Sequence, residues 1–208
     1  KRQEGNGEFL IQKNFDKAHY KIEKKDDEYL FDTKIDFINN PINLNFLNYK
    51  LDDNSTLSLK LDGKFNKNKT LYFENIKFEN NSDLISLKNL ELTNDLKILG
   101  LKSAFFNYTD IQNKKNNFQA EQDGEKFIIY GKIFNASKLI EDLIFEDTKN
   151  KNIFKKNFSF KIDLDEVYLH DEDVVYGLTG KLNFVNNKIM NANINAKFDD
   201  KEKVSFTL

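Results

Sequence analysis

The chain has 208 residues, 32 basic against 34 acidic side chains, a formal net charge of −2, 20 Phe, 8 Tyr and no Cys. Bulky aromatic surface with almost balanced charge excludes a disordered chain, and the missing basic excess argues against a nucleic-acid binder. Without Cys there is no disulfide framework, thiol nucleophile or cysteine metal site.

Periodicity is two rather than 3.6 through most of the chain. Tyr29, Phe31, Ile35 and Phe37 fall on one face, with Asp32, Lys34 and Asp36 on the other. Ile42, Leu44 and Phe46 alternate with Asn43 and Asn45, and Leu57, Leu59 and Leu61 alternate with Ser58, Lys60 and Asp62. Leu71 and Phe73, Ile76 and Phe78, Leu90 and Leu92, and Leu96 and Ile98 continue the pattern as successive short strands. Phe105-Phe106 and Phe127–Tyr130 read as buried strand runs. Between these runs, Asp52–Asn54, Asn66–Lys69, Asn80–Ser82, Asn186–Lys188 and Asp199–Lys201 read as hairpin tips, because Asn and Asp tolerate positive φ.

One stretch is helical. In Ser137–Phe145 the apolar residues fall at 139, 140, 143 and 144, and Asn135 or Ser137 can cap it. The charged stretch 146–156 reads as a loop. Strands resume with Phe158, Phe160, Ile162 and Leu164, then Leu182 and Phe184, then Ala192, Ile194, Ala196 and Phe198, and finally Val204, Phe206 and Leu208. Three segments share an apolar-x-Gly-Lys-apolar core: Leu61–Phe65, Ile129–Ile133 and Leu178–Leu182. Their unequal spacing excludes a strict solenoid repeat. The expected fold is mainly β: one extended sheet over 1–208, a long antiparallel meander curled into an apolar groove, with a sub-boundary near 110–118. The alternative is a β-sandwich. Starting at Lys1 without an initiator Met and ending in mid-alternation, the chain reads as an internal piece of a longer protein.

Candidates for chemistry are few. There are two His, and no metalloprotease pair, nucleophile elbow or phosphate loop. Asp163, Asp165 and Glu166 with His170–Asp173 form the densest acidic cluster; it lacks the Gly and distal Glu of a calcium loop and reads as a polar hairpin tip. A paired-acid hydrolase on Asp163 with Asp165 or Glu166 is geometrically allowed, but no constellation of His, Arg and Tyr accompanies it. His19 reads as a surface strand residue. Sequons at Asn54, Asn68, Asn80, Asn107, Asn135 and Asn157 follow from the high Asn content and polar turns. No catalytic, metal or cofactor site is expected.

Residues 118–208 carry a family resemblance. Gly131–Ser137 leads into the helix, Phe158–Leu169 contains Asp165-Glu166-Val167-Tyr168-Leu169, Leu178–Leu182 follows, and Asn191–Phe198 closes the segment. This arrangement resembles the AsmA-like family, in particular its YhdP-type members of Gram-negative bacteria; Asn135 stands where that family has Asp and keeps the capping role. The resemblance covers about 90 residues, with residues 1–117 alike in strand pattern alone. It implies a non-enzymatic protein anchored in the inner membrane by an N-terminal helix and crossing the periplasm. It further implies an apolar trough that guides phospholipid acyl chains toward the outer membrane, with no nucleic acid and no cofactor, and with any outer-membrane partner unspecified. The expected groove lining is Leu57, Leu59, Leu61, Leu71, Phe73, Phe158, Phe160, Ile162, Leu164, Leu182, Phe184 and Ile194. The rival class is a β-sandwich or solenoid recognition or adhesion module of a surface protein.

Overall fold

A computed structural model describes residues 1–11, 14–51, 55–66, 70–145, 157–170, 172–185, 188–198 and 202–208. The elements are β1 (Arg2–Ile11), β2 (Asn14–Lys25), β3 (Glu28–Phe37), β4 (Asn43–Leu44), a 3-10 turn (Asn45–Leu47), β5 (Tyr49–Lys50), β6 (Leu57–Asn66), β7 (Thr70–Glu79) and β8 (Leu84–Thr93). Then come β9 (Ile98–Thr109), β10 (Lys115–Asp123), β11 (Lys126–Asn135), α1 (Ser137–Phe145), β12 (Phe158–His170), β13 (Asp173–Val185), β14 (Lys188–Lys197) and β15 (Lys203–Thr207). Thirteen strands form one open mixed sheet in chain order, β4 and β5 pairing separately. The chain divides into two compact units, Lys1–Ala104 and Phe105–Leu208, each described by itself.

In the first unit the register explains the alternation, because directly opposed residues share a face. Ile35 lies opposite Ala18 and Leu59, Phe37 opposite Leu57, and Phe31 opposite Ile22 and Gly63. Leu61 faces Ile76 and Phe65 faces Leu71; in turn Phe78 meets Ile85 and Phe73 meets Leu90. The runs containing Leu71, Phe73, Ile76 and Phe78 are therefore one strand, not two. Phe73 and Ile76 are three residues apart, which strict alternation would send to opposite faces. A bulge at Asp62/Gly63 and the left-handed Asn89 (φ 51) on the neighbouring strand mark where the phase changes.

The glycine echo has a common physical cause. A Cβ on Gly63 would come within 2.0 Å of the Tyr72 carbonyl oxygen, and one on Gly131 within 2.5 Å of Phe118 Cα beside a second bulge. At Gly180 it would meet the Asn193 carbonyl oxygen at 2.7 Å. Each glycine sits where a neighbouring strand's backbone leaves no room for a side chain.

Several expectations need correcting. The meander is not wholly antiparallel: β12 runs parallel to β11, with Phe127 beside Phe160 and Gly131 beside Leu164. Parallel pairing needs a long crossover, and α1 opens it, over the predicted residues 137–145. Ile42–Phe46 is not a strand; the chain makes a two-residue bridge and a 3-10 turn ended by left-handed Asn48. Leu96 sits in the β8–β9 turn with φ 59 rather than in a strand. β1 is a strand that the alternation does not mark: it places Gln3, Gly5 and Gly7 in the face-sharing positions, so its apolar alternation is absent. Of the proposed hairpin tips, Asn80–Ser82 is observed, with Asn80 Oδ1 accepting from the Ser82 and Asp83 N–H groups at 2.9 and 2.8 Å. Tip residues 52–54, 67–69, 186–187 and 199–201, and the loop 146–156, lie outside the described residues.

Two buried polar clasps fix where the chain leaves the sheet. In the first unit Asp16 Oδ1 accepts from the Ile38 and Asn39 N–H groups at 2.8 and 2.9 Å, while Oδ2 accepts from Asn40 Nδ2 at 2.8 Å. Burial opposes the Asp16 charge, but the Asn40 amide and the backbone N–H groups of 38, 39 and 40 hold its pKa below the usual range. In the second unit Asp110 Oδ1 accepts from the Gln112 and Lys114 N–H groups, both at 2.9 Å. Its Oδ2 accepts from Asn116 Nδ2 at 3.2 Å and Asn135 Nδ2 at 2.7 Å. Asn135 Oδ1 then takes the Ser137 N–H at 3.1 Å, so Asn135 caps the start of α1.

Candidate functional site

The apolar face of each unit is the candidate. In the first unit Leu57, Leu59 and Leu61 of β6 and Leu71 and Phe73 of β7 share the face set out above. In the second, Phe160 is opposite Leu182, Phe158 opposite Phe184, and Ile162 opposite Gly180, which is itself opposite Ile194. Leu164 continues the β12 row opposite Leu178. The twelve expected lining residues thus fall into two same-face sets, one in each unit. Three are buried, Leu57 at 1%, Phe158 at 8% and Leu164 at 3% exposure, whereas the other nine are half-buried.

What covers the face differs along it. In the first unit the strap 38–51 lies over one end, where Leu51 and Ile42 pack with Phe37, Leu57, Ile35, Leu59 and Phe78. Tyr49, almost fully buried, accepts a hydrogen bond from Asn80 Nδ2 at 3.2 Å, which ties the strap to the β7–β8 turn. Leu61, Phe65, Leu71 and Phe73 lie beyond that cluster and stay half-buried. In the second unit Phe127, Phe158, Phe160 and Phe184 pack on one another, the Phe158 and Phe184 rings stacked at 4.7 Å. Among the described residues no second sheet of comparable size exists to stack on either face.

The opposite face is charged. His19, Lys34, Lys60 and Lys77 form one cross-strand row, flanked by the row of Asp36, Ser58 and Glu79. Ion pairs run along strands, Lys34–Asp36 and Lys77–Glu79 both at 2.8 Å, and keep this face solvated. Ser58 Oγ, in the middle of the acidic row, is buried without a hydrogen-bond partner among the described residues.

The acidic candidates do not converge. Asp163 and Asp165 are exposed on β12, Glu166 is half-buried opposite Tyr176, and His170 and Asp173 end the strands of their hairpin; Asp171 is not among the described residues. No group of three His, Asp or Glu among the described residues could hold a metal ion. His19 is a strand residue with Nδ1 2.7 Å from Asn6 Oδ1. Of the sequons, Asn135 is buried in the clasp and Asn107 Oδ1 accepts from Asn117 Nδ2 at 3.1 Å, while Asn54 and Asn68 lie outside the described residues. Sequence reasoning missed Asp16, Asn40, Asp110 and Asn116, whose partners are distant in the chain. Burial first, and then the Asp110 carboxylate, also push the Tyr108 phenol up.

The chain matches no family model, and no curated protein or solved structure is significantly similar to it.

Proposed function

We propose that the chain is a non-enzymatic lipid-binding segment of a longer bridge-like protein that guides phospholipid between the inner and outer membranes across the periplasm. The observation that carries this reading is the half-buried apolar face in each unit, with a charged opposite face and no stacked sheet among the described residues. Apolar rows of this kind lower their free energy by about 25 cal/mol for each Å² removed from water, and acyl chains can provide that cover without specific hydrogen bonds. Lining positions contribute only Leu, Ile and Phe, which suits tails rather than head groups. Anchoring belongs to an N-terminal membrane helix outside this chain; none of the described helices is long and apolar enough to cross a membrane.

The test is lipid carriage. The chain, expressed in a Gram-negative host and examined by native mass spectrometry before and after delipidation, is expected to carry phospholipid. Leu61→Asp and Phe160→Asp should fold and lose it, because a carboxylate facing acyl chains is strongly unfavourable. A monodisperse, lipid-free chain of unchanged stability from that host would overturn the reading.

A further inference from the structure

We infer, resting on the lipid reading above, that a phospholipid lies on the first unit in one orientation. Its tails run along the strands toward the strap, and its phosphate stands beside Lys24 at the opposite end.

The strap is a stop. It closes the part of the apolar face that holds Phe37, Leu57, Leu59 and Phe78. Tyr49 and Leu51 of the strap are 2% and 3% exposed, so this end leaves no apolar surface for a ligand to cover. A head group pushed beneath the strap would be buried among Leu and Phe side chains without hydrogen-bond partners, which is unfavourable. Beyond the strap three cross-strand rows stay open, crossing β6 at Leu61, Gly63 and Phe65. They span about 13 Å along the strand, close to half of the ~30 Å hydrocarbon thickness of a bilayer and so to one tail.

Charge gives the same direction. Among the described residues of β2, β3, β6, β7 and β8 that share this face, two are charged, Asp16 and Lys24. Asp16 lies at the strap end, and the hydrogen bonds of its clasp keep it a carboxylate by holding its pKa low. Lys24 lies at the open end, exposed and directly opposite Tyr29, with Nζ 5.9 Å from the Tyr29 ring centroid. Tyr29 is opposite Phe65, and Phe65 opposite Leu71, so Lys24 belongs to the last apolar row. Its aliphatic stem rests on apolar surface while the ammonium group reaches water, the habit of a lysine at a hydrocarbon–water boundary. A phosphate is therefore repelled from the strap end and drawn to the Lys24 end, where it also stays hydrated.

The test is a magnetic resonance titration of the intact chain, with labelled leucine methyl groups, against phosphatidylcholine vesicles. The lipid carries a nitroxide either beside the glycerol or at the tail terminus. The terminal nitroxide should broaden Leu61 more than Leu71, and the glycerol nitroxide should broaden Leu71 more than Leu61. Leu57, beneath the strap, should broaden less than Leu61 with both. Lys24→Gln should weaken binding about threefold, the scale of an exposed charge pair, whereas Lys60→Gln on the charged face should bind as the parent does. Circular dichroism checks the fold of both variants. A reversed or absent gradient, Leu57 broadened as strongly as Leu61, or undiminished binding by Lys24→Gln would each overturn the inference and leave lipid carriage standing. Broadening at no apolar-face methyl of either unit would remove the lipid reading and the inference with it.

Discussion

The two clasps solve the same problem with different consequences. In the first unit Asp16 holds the chain as it leaves β3, and the strap comes back in at the same end, with Leu57 opposite Phe37. In the second unit Asp110 and Asn116 hold the chain as it leaves β11, but it starts a helix and re-enters at the far end, with Ser159 beside Lys126. A buried carboxylate saturated by Asn side chains and backbone N–H groups therefore sets the exit point and leaves the route open. The route then decides what is covered: the strap shields the end of the apolar face at Leu57, while α1 begins a crossover between parallel strands.

The largest expected effect falls on the richer clasp. Asp110→Ala removes the acceptor for two backbone N–H groups and two Asn amides, leaving buried donors unmade, and should cost about 3–4 kcal/mol in urea unfolding. Leu57→Ala should follow at about 3 kcal/mol, because the strap cannot collapse fully into the cavity. Asp16→Asn should cost about 1–2 kcal/mol, and it should also change the pH profile. With its folded pKa below the ordinary 3.8, Asp16 adds stability that is present above about pH 3.8 and lost as pH falls through the folded value; the Asn variant should lack that acid-side loss. Leu61→Ala, beyond the strap, should cost about 1 kcal/mol by area alone. If Leu57→Ala and Leu61→Ala proved equally costly, the distinction between covered and uncovered face would fail. Smallest of all, Lys34→Ala should change stability by under about 0.5 kcal/mol, since its ion pair with Asp36 is exposed.

Strand identity was legible wherever one face is apolar and the other charged, as in Leu57–Leu61 and Phe158–Leu164, because the period is a local property. The helix was legible too, its 3.6-residue spacing and Asn135 cap both lying within one short window. Phase changes were not: whether Phe73 and Ile76 share a face depends on a bulge against β6, which the β7 residues do not encode by themselves. Nor were the clasps. Asp16 meets Asn40, and Asp110 meets Asn135, across 24 and 25 residues of chain, and 29 Asn hide the few that are buried partners. β1 escaped notice because its face-sharing positions hold Gly5 and Gly7, over the first of which the Tyr20 ring lies.

The parallel β11–β12 pair has a kinetic consequence. Hairpins such as β2–β3, closed at Lys25 and Glu28, join neighbours in sequence and form on a microsecond scale. Lys126 and Ser159, by contrast, are 33 positions apart, so loop-closure entropy is lost before any ladder bond compensates it. Folding of the second unit should accordingly begin in two separate pieces, β10–β11 and β12–β15, and be limited by their docking. A mutation that loosens the Asn135 cap would then slow refolding more than it speeds unfolding, whereas one in the hairpin-closed β2–β3 pair would leave that slow step untouched.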